Sequence, residues 1–240
     1  MGHVDGADDT TESMADPHDP TALEALHPLA SSEVEVTATF RHRETYTQRG
    51  LLTVLTHEPS AGTALPAAIV ACGGALGGVL GPGHSLYHRL GERWAERGVR
   101  FIRIGYREPN NLDLCAHDLA CGVELARDAG AERVVVMGHS FGGAVAVRTA
   151  VIMPVSVVGV VTFATQSAGC EVAGALAGRP LLLFHGERDE LLPPEASHVV
   201  AAIAGHGEVA MLPGDGHLLA ESDDAITERL DDWFPATLDL

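Results

Sequence analysis

One serine in this chain stands where a side chain could react. Val134-Val135-Val136-Met137 is short, apolar and rich in β-branched residues, the pattern of a buried strand. The run breaks at Gly138-His139-Ser140-Phe141-Gly142-Gly143 and continues as Ala144-Val145-Ala146-Val147-Arg148, a helix-like composition. Strand, sharp turn and helix around Gly-x-Ser-x-Gly would hold Ser140 in a strained conformation at the top of a sheet. Gly138 and Gly142 would remove side chains that collide where strand and helix close together. Gly-rich chains also carry this pentapeptide by chance, and the plain alternative is a turn that happens to hold a serine. A serine hydroxyl is a weak nucleophile until a base takes its proton, so the chemistry needs partners from elsewhere in the chain.

The pentapeptide in this context resembles the nucleophile turn of the α/β-hydrolase superfamily, with Ser140 matching the nucleophile. That resemblance implies partners in the chain order serine, acid, histidine. His185-Gly186-Glu187-Arg188-Asp189-Glu190-Leu191-Leu192-Pro193 is similar to the family's H-G-x-x-D-x-x-x-P stretch and matches Asp189 to the acid. The plain alternative for Asp189 is a loop carboxylate paired with Arg188, and Glu171 is a second candidate acid one strand earlier. Pro213-Gly214-Asp215-Gly216-His217 is similar to the Gly-rich turn ending in Gly-His that carries the family's histidine. A histidine side chain, with a free pKa of about 6.5, takes and returns a proton near neutral pH. Of the thirteen histidines, His185 belongs to the family's structural His-Gly dipeptide and His139 to the variable position before the nucleophile. His198 and His206 fall on or beside a helix.

The resemblance also implies two backbone donors for the oxyanion of a tetrahedral intermediate. Phe141 supplies one, and the loop Cys72-Gly73-Gly74-Ala75-Leu76-Gly77-Gly78 supplies the other from Gly74, with Ala75 as the alternative. Losing one such donor typically costs roughly 3–4 kcal/mol of transition-state stabilisation. The family often has His-Gly where this chain has Cys72-Gly73. A Gly-rich loop before a helix could also cradle phosphate, but the loop holds neither a G-K-[ST] nor a G-x-G-x-x-G that opens a helix. No metal and no organic cofactor is implied.

The elements that would position these residues follow from hydrophobic pattern. Residues 1–32 are acidic, contain proline and are poor in aromatics, which predicts a flexible tail without enough apolar surface to fold. His3, His18 and the clustered acids match no metal-ligand template, so a solvated tail is the expectation. Glu33–Phe40 alternates like a half-buried strand, and Gly50–Thr56 follows after a polar connection, together an antiparallel hairpin at a sheet edge. From Ala67 onward, apolar strands alternate with helical segments: strands at Ala67–Ala71, Val99–Ile104, Val134–Met137, Val157–Phe163, Leu181–Phe184 and Val209–Leu212. Helices are expected over His84–Arg97, Leu112–Ala129, Pro194–Ala204 and Ala225–Phe234. This order predicts an α/β fold: a mostly parallel sheet with an antiparallel N-terminal edge hairpin and helices on both faces, as one domain over residues 33–240. The connection Thr165–Arg179 is short, so no large cap domain is expected.

Composition bounds the function. The 240 residues hold 15 basic and 33 acidic side chains, a formal charge of −18. That excess argues against nucleic-acid binding and against anionic membrane surfaces. Cys72, Cys115, Cys121 and Cys170 show no C-x-x-C spacing and sit in apolar segments, as buried reduced thiols would. No basic segment precedes an apolar stretch in the first residues, and Val151–Ala164 is interrupted by Pro154, Ser156 and Gly159. A cytoplasmic protein without a membrane span is expected. The resemblance implies a serine hydrolase for a carboxylic ester or thioester of a small to medium acyl substrate, like the dienelactone-hydrolase-like and small esterase branches. Dienelactone hydrolases carry cysteine where this chain has Ser140. An acyltransferase or perhydrolase with the same triad, or a non-catalytic binding scaffold, are the alternatives. Leu76, Val79, Leu80, Tyr87, Phe141 and Leu191 are candidate pocket walls or core, and Arg107 is a candidate for a substrate carboxylate or a surface ion pair. The sequence assigns no oligomeric state.

Overall fold

Backbone pairing, more than burial, makes the first two strands. A computed structural model describes residues 20–240. Ala30–Thr37 (β1), Phe40–Thr47 (β2) and Gly50–His57 (β3) form an antiparallel meander. The predicted Glu33–Phe40 strand thus straddles the β1–β2 turn, and the polar connection after it is itself β2. Its sequence Phe-Arg-His-Arg-Glu-Thr-Tyr-Thr lacks an apolar face because much of it stays in contact with water. Cross-strand ion pairs Arg43–Glu33 at 2.7 Å and Arg41–Glu33 at 3.1 Å take the place of packing there. All eight residues of β1 are exposed, so the expected half-burial fails: β1 is the outermost strand and no helix covers it.

The remaining strands are Ala67–Cys72 (β4), Arg100–Gly105 (β5), Arg133–His139 (β6), Val157–Phe163 (β7), Leu181–Gly186 (β8) and Glu208–Leu212 (β9). The nine strands lie in the order β1-β2-β3-β5-β4-β6-β7-β8-β9, parallel from β5 to β9 and antiparallel from β1 to β5. Every residue of β4 and β8 is buried. Strands covered on both faces read as unbroken apolar runs, which is why the pattern found them.

Leu86–Glu96 (α1), Leu112–Asp128 (α2), Phe141–Ile152 (α3), Glu195–Ala204 (α4) and Asp223–Leu238 (α5) cover the sheet. Successive strand residues alternate between two cores. Val70, Ile104, Val136 and Val160 pack with Leu119 of α2, Val147 of α3 and Val200 of α4. Ile69, Phe101, Val135 and Phe163 pack with Trp94 of α1 and Phe234 of α5 on the other face. α5 runs four residues beyond the expected Phe234, with Pro235 inside it.

One expectation at the chain's edge changes. Residues 20–32 are not loose: Leu26 is buried, and the Ala22 and Leu23 N–H groups donate to the Glu124 carboxylate at 2.7 and 2.8 Å. The part of the expected tail at residues 1–19 lies outside the described residues. Thr165–Arg179 carries one 3-10 turn, Ala173–Leu176, and no cap. Among the described residues no helix is long and apolar enough to cross a membrane.

Candidate active site

Ser140 takes the strained turn that the pentapeptide implies. Its φ of 58° and ψ of −118° lie outside the regions open to ordinary residues. Such a conformation costs of order 1–3 kcal/mol and persists only when its surroundings hold it. Here the Ser140 N–H donates to Phe163 O at 2.8 Å, and Ser140 O accepts from Gly143 N–H at 3.0 Å. Close approach explains the flanking glycines. A Cβ on Gly138 would run into Gly142 O, and one on Gly142 into Gly73 O. β6 ends at His139, so Ser140 stands at the C-terminal edge of the central strand, at the head of α3.

Asp189 and His217 meet on the same edge. His217 Nδ1–H donates to Asp189 Oδ2 at 2.8 Å. Asp189 Oδ1 accepts the Leu191 and Leu192 N–H groups, each at 2.9 Å. Burial works against the Asp189 charge, but the Leu192, His217 and Leu191 donors outweigh it and hold the carboxyl below its ordinary range. An ionised Asp189 accepts the Nδ1 proton, which fixes the His217 tautomer and leaves Nε2 bare. Glu171, the second candidate acid, is exposed and accepts the Gly169 N–H instead. No hydrogen bond joins Ser140 Oγ to His217 among the described residues, and His217 bonds Asp189 instead.

Three residues that sequence reading placed outside the site support it. His139 is buried, its Nε2–H donates to His217 O at 2.9 Å, and the two rings lie 4.9 Å apart. Burial pushes the His139 imidazole down to about 4, so at neutral pH its Nδ1 is a bare acceptor. This contact places His217 beside the serine turn. His185 Nε2–H donates to Leu192 O at 3.1 Å and lies 3.3 Å from Asp189 Oδ2, a second N–H beside the acid. Asp215, fully buried, accepts the Glu221 N–H at 2.9 Å, while its carbonyl accepts Arg188 N–H at 2.8 Å and locks the acid loop to the histidine loop. His139 adjoins the serine and Asp215 lies two residues before His217, so position was a signal for both; their bonding is not visible in one dimension.

The loop after β4 sits against the serine. A Cβ on Gly74 would lie 3.6 Å from Ser140 Cβ. The N–H groups of Phe141, Gly74 and Ala75 have no geometric hydrogen-bond acceptor among the described residues, although Gly74 and Gly77 face each other as an isolated antiparallel bridge. A cavity of about 160 Å³ opens between this loop and His139. Of the larger cavities, two of about 440 and 470 Å³ lie on the antiparallel side of the sheet around His57 and Arg41, and two of about 380 and 550 Å³ lie beside residues 20–25 and α2. Those are far from Ser140, and size there does not indicate chemistry.

The other candidates sort cleanly. Tyr87 and Phe141 are core, Leu76, Leu80 and Leu191 are exposed, and Val79 is half-buried. Arg107 forms a buried pair with Asp118, beyond the expected surface bridge, and also donates to His117 Nδ1 at 2.8 Å. Breaking such a pair from one side costs about 3–5 kcal/mol. The four cysteines are buried and unpaired.

No family model and no curated protein sequence matches the chain. Solved structures do. Est1E from Butyrivibrio proteoclasticus superposes with a TM-score of 0.69 at 16% identity over 83% of this chain and 99% of its own. A dienelactone hydrolase from Anabaena variabilis gives 0.62 at 16% identity over 83% and 99%. An alpha-beta serine hydrolase homologue from Coxiella burnetii gives 0.61 at 19% identity over 79% and 94%. At such identities the likeness speaks to architecture alone, and it agrees with the strand order and the serine turn: the chain has the α/β-hydrolase fold.

Proposed function

We propose that this protein is a serine hydrolase that cleaves a carboxylic ester or thioester of a small to medium acyl group through an acyl-enzyme. Ser140 Oγ attacks the acyl carbon while His217 Nε2 takes its proton. Asp189 holds the imidazole through Nδ1–H and stabilises the imidazolium. The developing oxyanion lies on the N–H groups of Phe141 and Gly74, with Ala75 the neighbouring donor. As the tetrahedral intermediate collapses, His217 returns the proton to the departing alcohol or thiol. Water then gives a proton to His217 as its oxygen bonds the acyl carbon; the bond from that carbon to Ser140 Oγ breaks, the acid leaves, and His217 returns the proton to Ser140 Oγ. Every step uses groups of this chain and water.

The observation that carries the reading is the 2.8 Å bond from His217 Nδ1 to Asp189 Oδ2 at the edge where Ser140 is held at positive φ. Three separate loops converge there, and each brings a different member of the set. Neighbours that include hydrolases of this fold are consistent with it. The test is turnover of p-nitrophenyl acetate and of a short acyl thioester. Ser140→Ala is expected to lower kcat/KM at least about 10³-fold with the fold intact. Equal turnover by the variant would refute the reading.

A further inference from the structure

Two buried tyrosines hold the backbone that leads into the loop after β4. The Tyr87 hydroxyl donates to Cys72 O at 3.2 Å, and the Tyr106 hydroxyl to Gly73 O at 2.9 Å. Tyr87 lies in α1 and Tyr106 one residue beyond β5. β5 pairs with β4 in the sheet, which brings Tyr106 across to the loop. Gly73 is buried, and among the described residues its carbonyl accepts from no other group. Burial pushes the Tyr106 phenol well above its ordinary pKa, so the group stays a donor.

A trans peptide is planar and points its C=O and its N–H in opposite directions. Fixing Gly73 O therefore fixes Gly74 N–H. Gly73 O is held by Tyr106 and stands against Gly142, where a Cβ would strike it. Gly74 N–H points the other way, and Gly74 lies against the nucleophile turn: a Cβ there would be 3.6 Å from Ser140 Cβ. The next peptide is pinned too, with Gly77 N–H donating to Gly74 O at 2.9 Å. The Tyr106 ring meets the other half of the site. It stands at 90° to the Phe141 ring, with centroids 6.3 Å apart. Phe141 follows the serine and carries the second oxyanion N–H of the proposed function. Tyr87 has neither link: it bonds the carbonyl one peptide earlier, and its ring neighbour is Phe163 at 6.0 Å.

We propose that Tyr106 is a positioning residue that sets both donors of the oxyanion site, Gly74 N–H through its hydroxyl and Phe141 N–H through its ring. This rests on the serine-hydrolase reading. Tyr106 acts through groups that meet charge only as it develops on the carbonyl oxygen. Its effect therefore falls on the reacting state and not on substrate binding.

The experiment compares Tyr106→Phe and Tyr87→Phe with the wild type by turnover of p-nitrophenyl acetate, thermal melting, and inhibition with a short trifluoromethyl ketone. The ketone carbon bonds Ser140 Oγ while the serine proton passes to His217, and the ketone oxygen becomes the anion that the two N–H groups bind. Each substitution removes one buried hydroxyl from a buried carbonyl, so both lower Tm by a similar amount. Deleting an oxyanion donor costs about 10²–10³-fold in kcat, and misaiming one is expected to cost about tenfold or more. Tyr106→Phe is expected to show that loss in kcat, with KM within about twofold and the inhibition constant raised about as much as kcat falls. Tyr87→Phe is expected to stay within about threefold in all three constants. Should Tyr106→Phe not fold, Phe141→Leu removes the ring contact and keeps the N–H, and its kcat is expected to fall about threefold or more at unchanged KM. A wild-type kcat in Phe141→Leu then overturns the proposal. A folded Tyr106→Phe that takes a fluorophosphonate label and keeps the wild-type kcat and inhibition constant overturns the positioning role and leaves the hydrolase reading standing. So does an equal kcat loss in Tyr87→Phe, or a loss confined to KM. A wild type that neither labels nor turns over any ester removes the hydrolase reading, and the positioning role with it.

Discussion

Two partly buried histidine clusters among the described residues are built on opposite charges. In one, His217 donates to Asp189 and His185 lies beside the same carboxylate. In the other, the Arg103 guanidinium, buried on β5, lies 3.0 Å from His57 Nε2 and 3.5 Å from His88 Nδ1, and donates to Val79 O at 3.2 Å. Guanidinium can only donate, so His57 Nε2 must accept and stay unprotonated. Burial, then the Arg103 charge, then His88, push His57 down to about 4. The carboxylate accepts its histidine's N–H; the guanidinium forbids a proton on the nitrogen it faces. On the proposed function, the same residue type cycles a proton in the first cluster and serves as scaffold in the second. The larger neighbouring cavity belongs to the scaffold, about 440 Å³ against about 160 Å³.

Replacing the charge at the centre of each cluster is the strongest way to break this contrast. Asp189→Asn keeps the shape but loses the charge and the tautomer control, and kcat/KM for p-nitrophenyl acetate is expected to fall about 10³-fold or more. His57→Gln is expected to leave kcat/KM within about twofold. Equal losses from the two substitutions would erase the distinction.

The second cluster shows itself in stability. His57 is depressed to about 4 in the folded chain, against about 6.5 when unfolded. As pH falls from 7 through that window the unfolded state takes the proton first, so stability is lost on acidification. Between pH 7 and pH 5 the loss from this one group is about 2 kcal/mol, or about 5 °C in Tm for a chain of this size. His57→Gln is expected to flatten the Tm–pH curve by that amount in a thermal scan. An unaltered slope would mean that His57 is not held neutral.

A smaller effect separates the clusters by pH. The folded Asp189 carboxyl lies below its ordinary value, so its contribution is present above about pH 4 and fades as pH falls through the folded pKa. The Tm gap between wild type and Asp189→Asn is expected to stay constant from pH 7 to 5 and to shrink only below about pH 4. A gap that closes already near pH 6 would contradict the assignment of the shift to Asp189.

What could be read from the chain was local. Val134–Gly143 announces itself because a strand, a strained turn and a helix each leave a residue signature within ten positions. Gly-His at 216–217 and the Asp189 loop are equally local, and Asp189 and His217 do meet. Buried strands such as β4 and β8 were legible because covering both faces demands continuous apolar sequence. β2 was not, since an antiparallel strand paired on both sides needs no apolar face to exist. Arg107 and His139 were opaque for another reason: their partners, Asp118 and the His217 carbonyl, are set by tertiary approach. The anchoring of residues 20–29 was hidden likewise, since it depends on Glu124 a hundred positions away.

The central claim is that Ser140 is an activated nucleophile served by His217. Covalent labelling by a fluorophosphonate probe, read by intact mass on wild type, Ser140→Ala and His217→Ala, tests it directly. One adduct on the wild type, none on Ser140→Ala, and labelling slowed by orders of magnitude on His217→Ala is the expected result. A folded wild type that stays unlabelled while the probe reaches the site, or a Ser140→Ala variant that labels like the wild type, would contradict it.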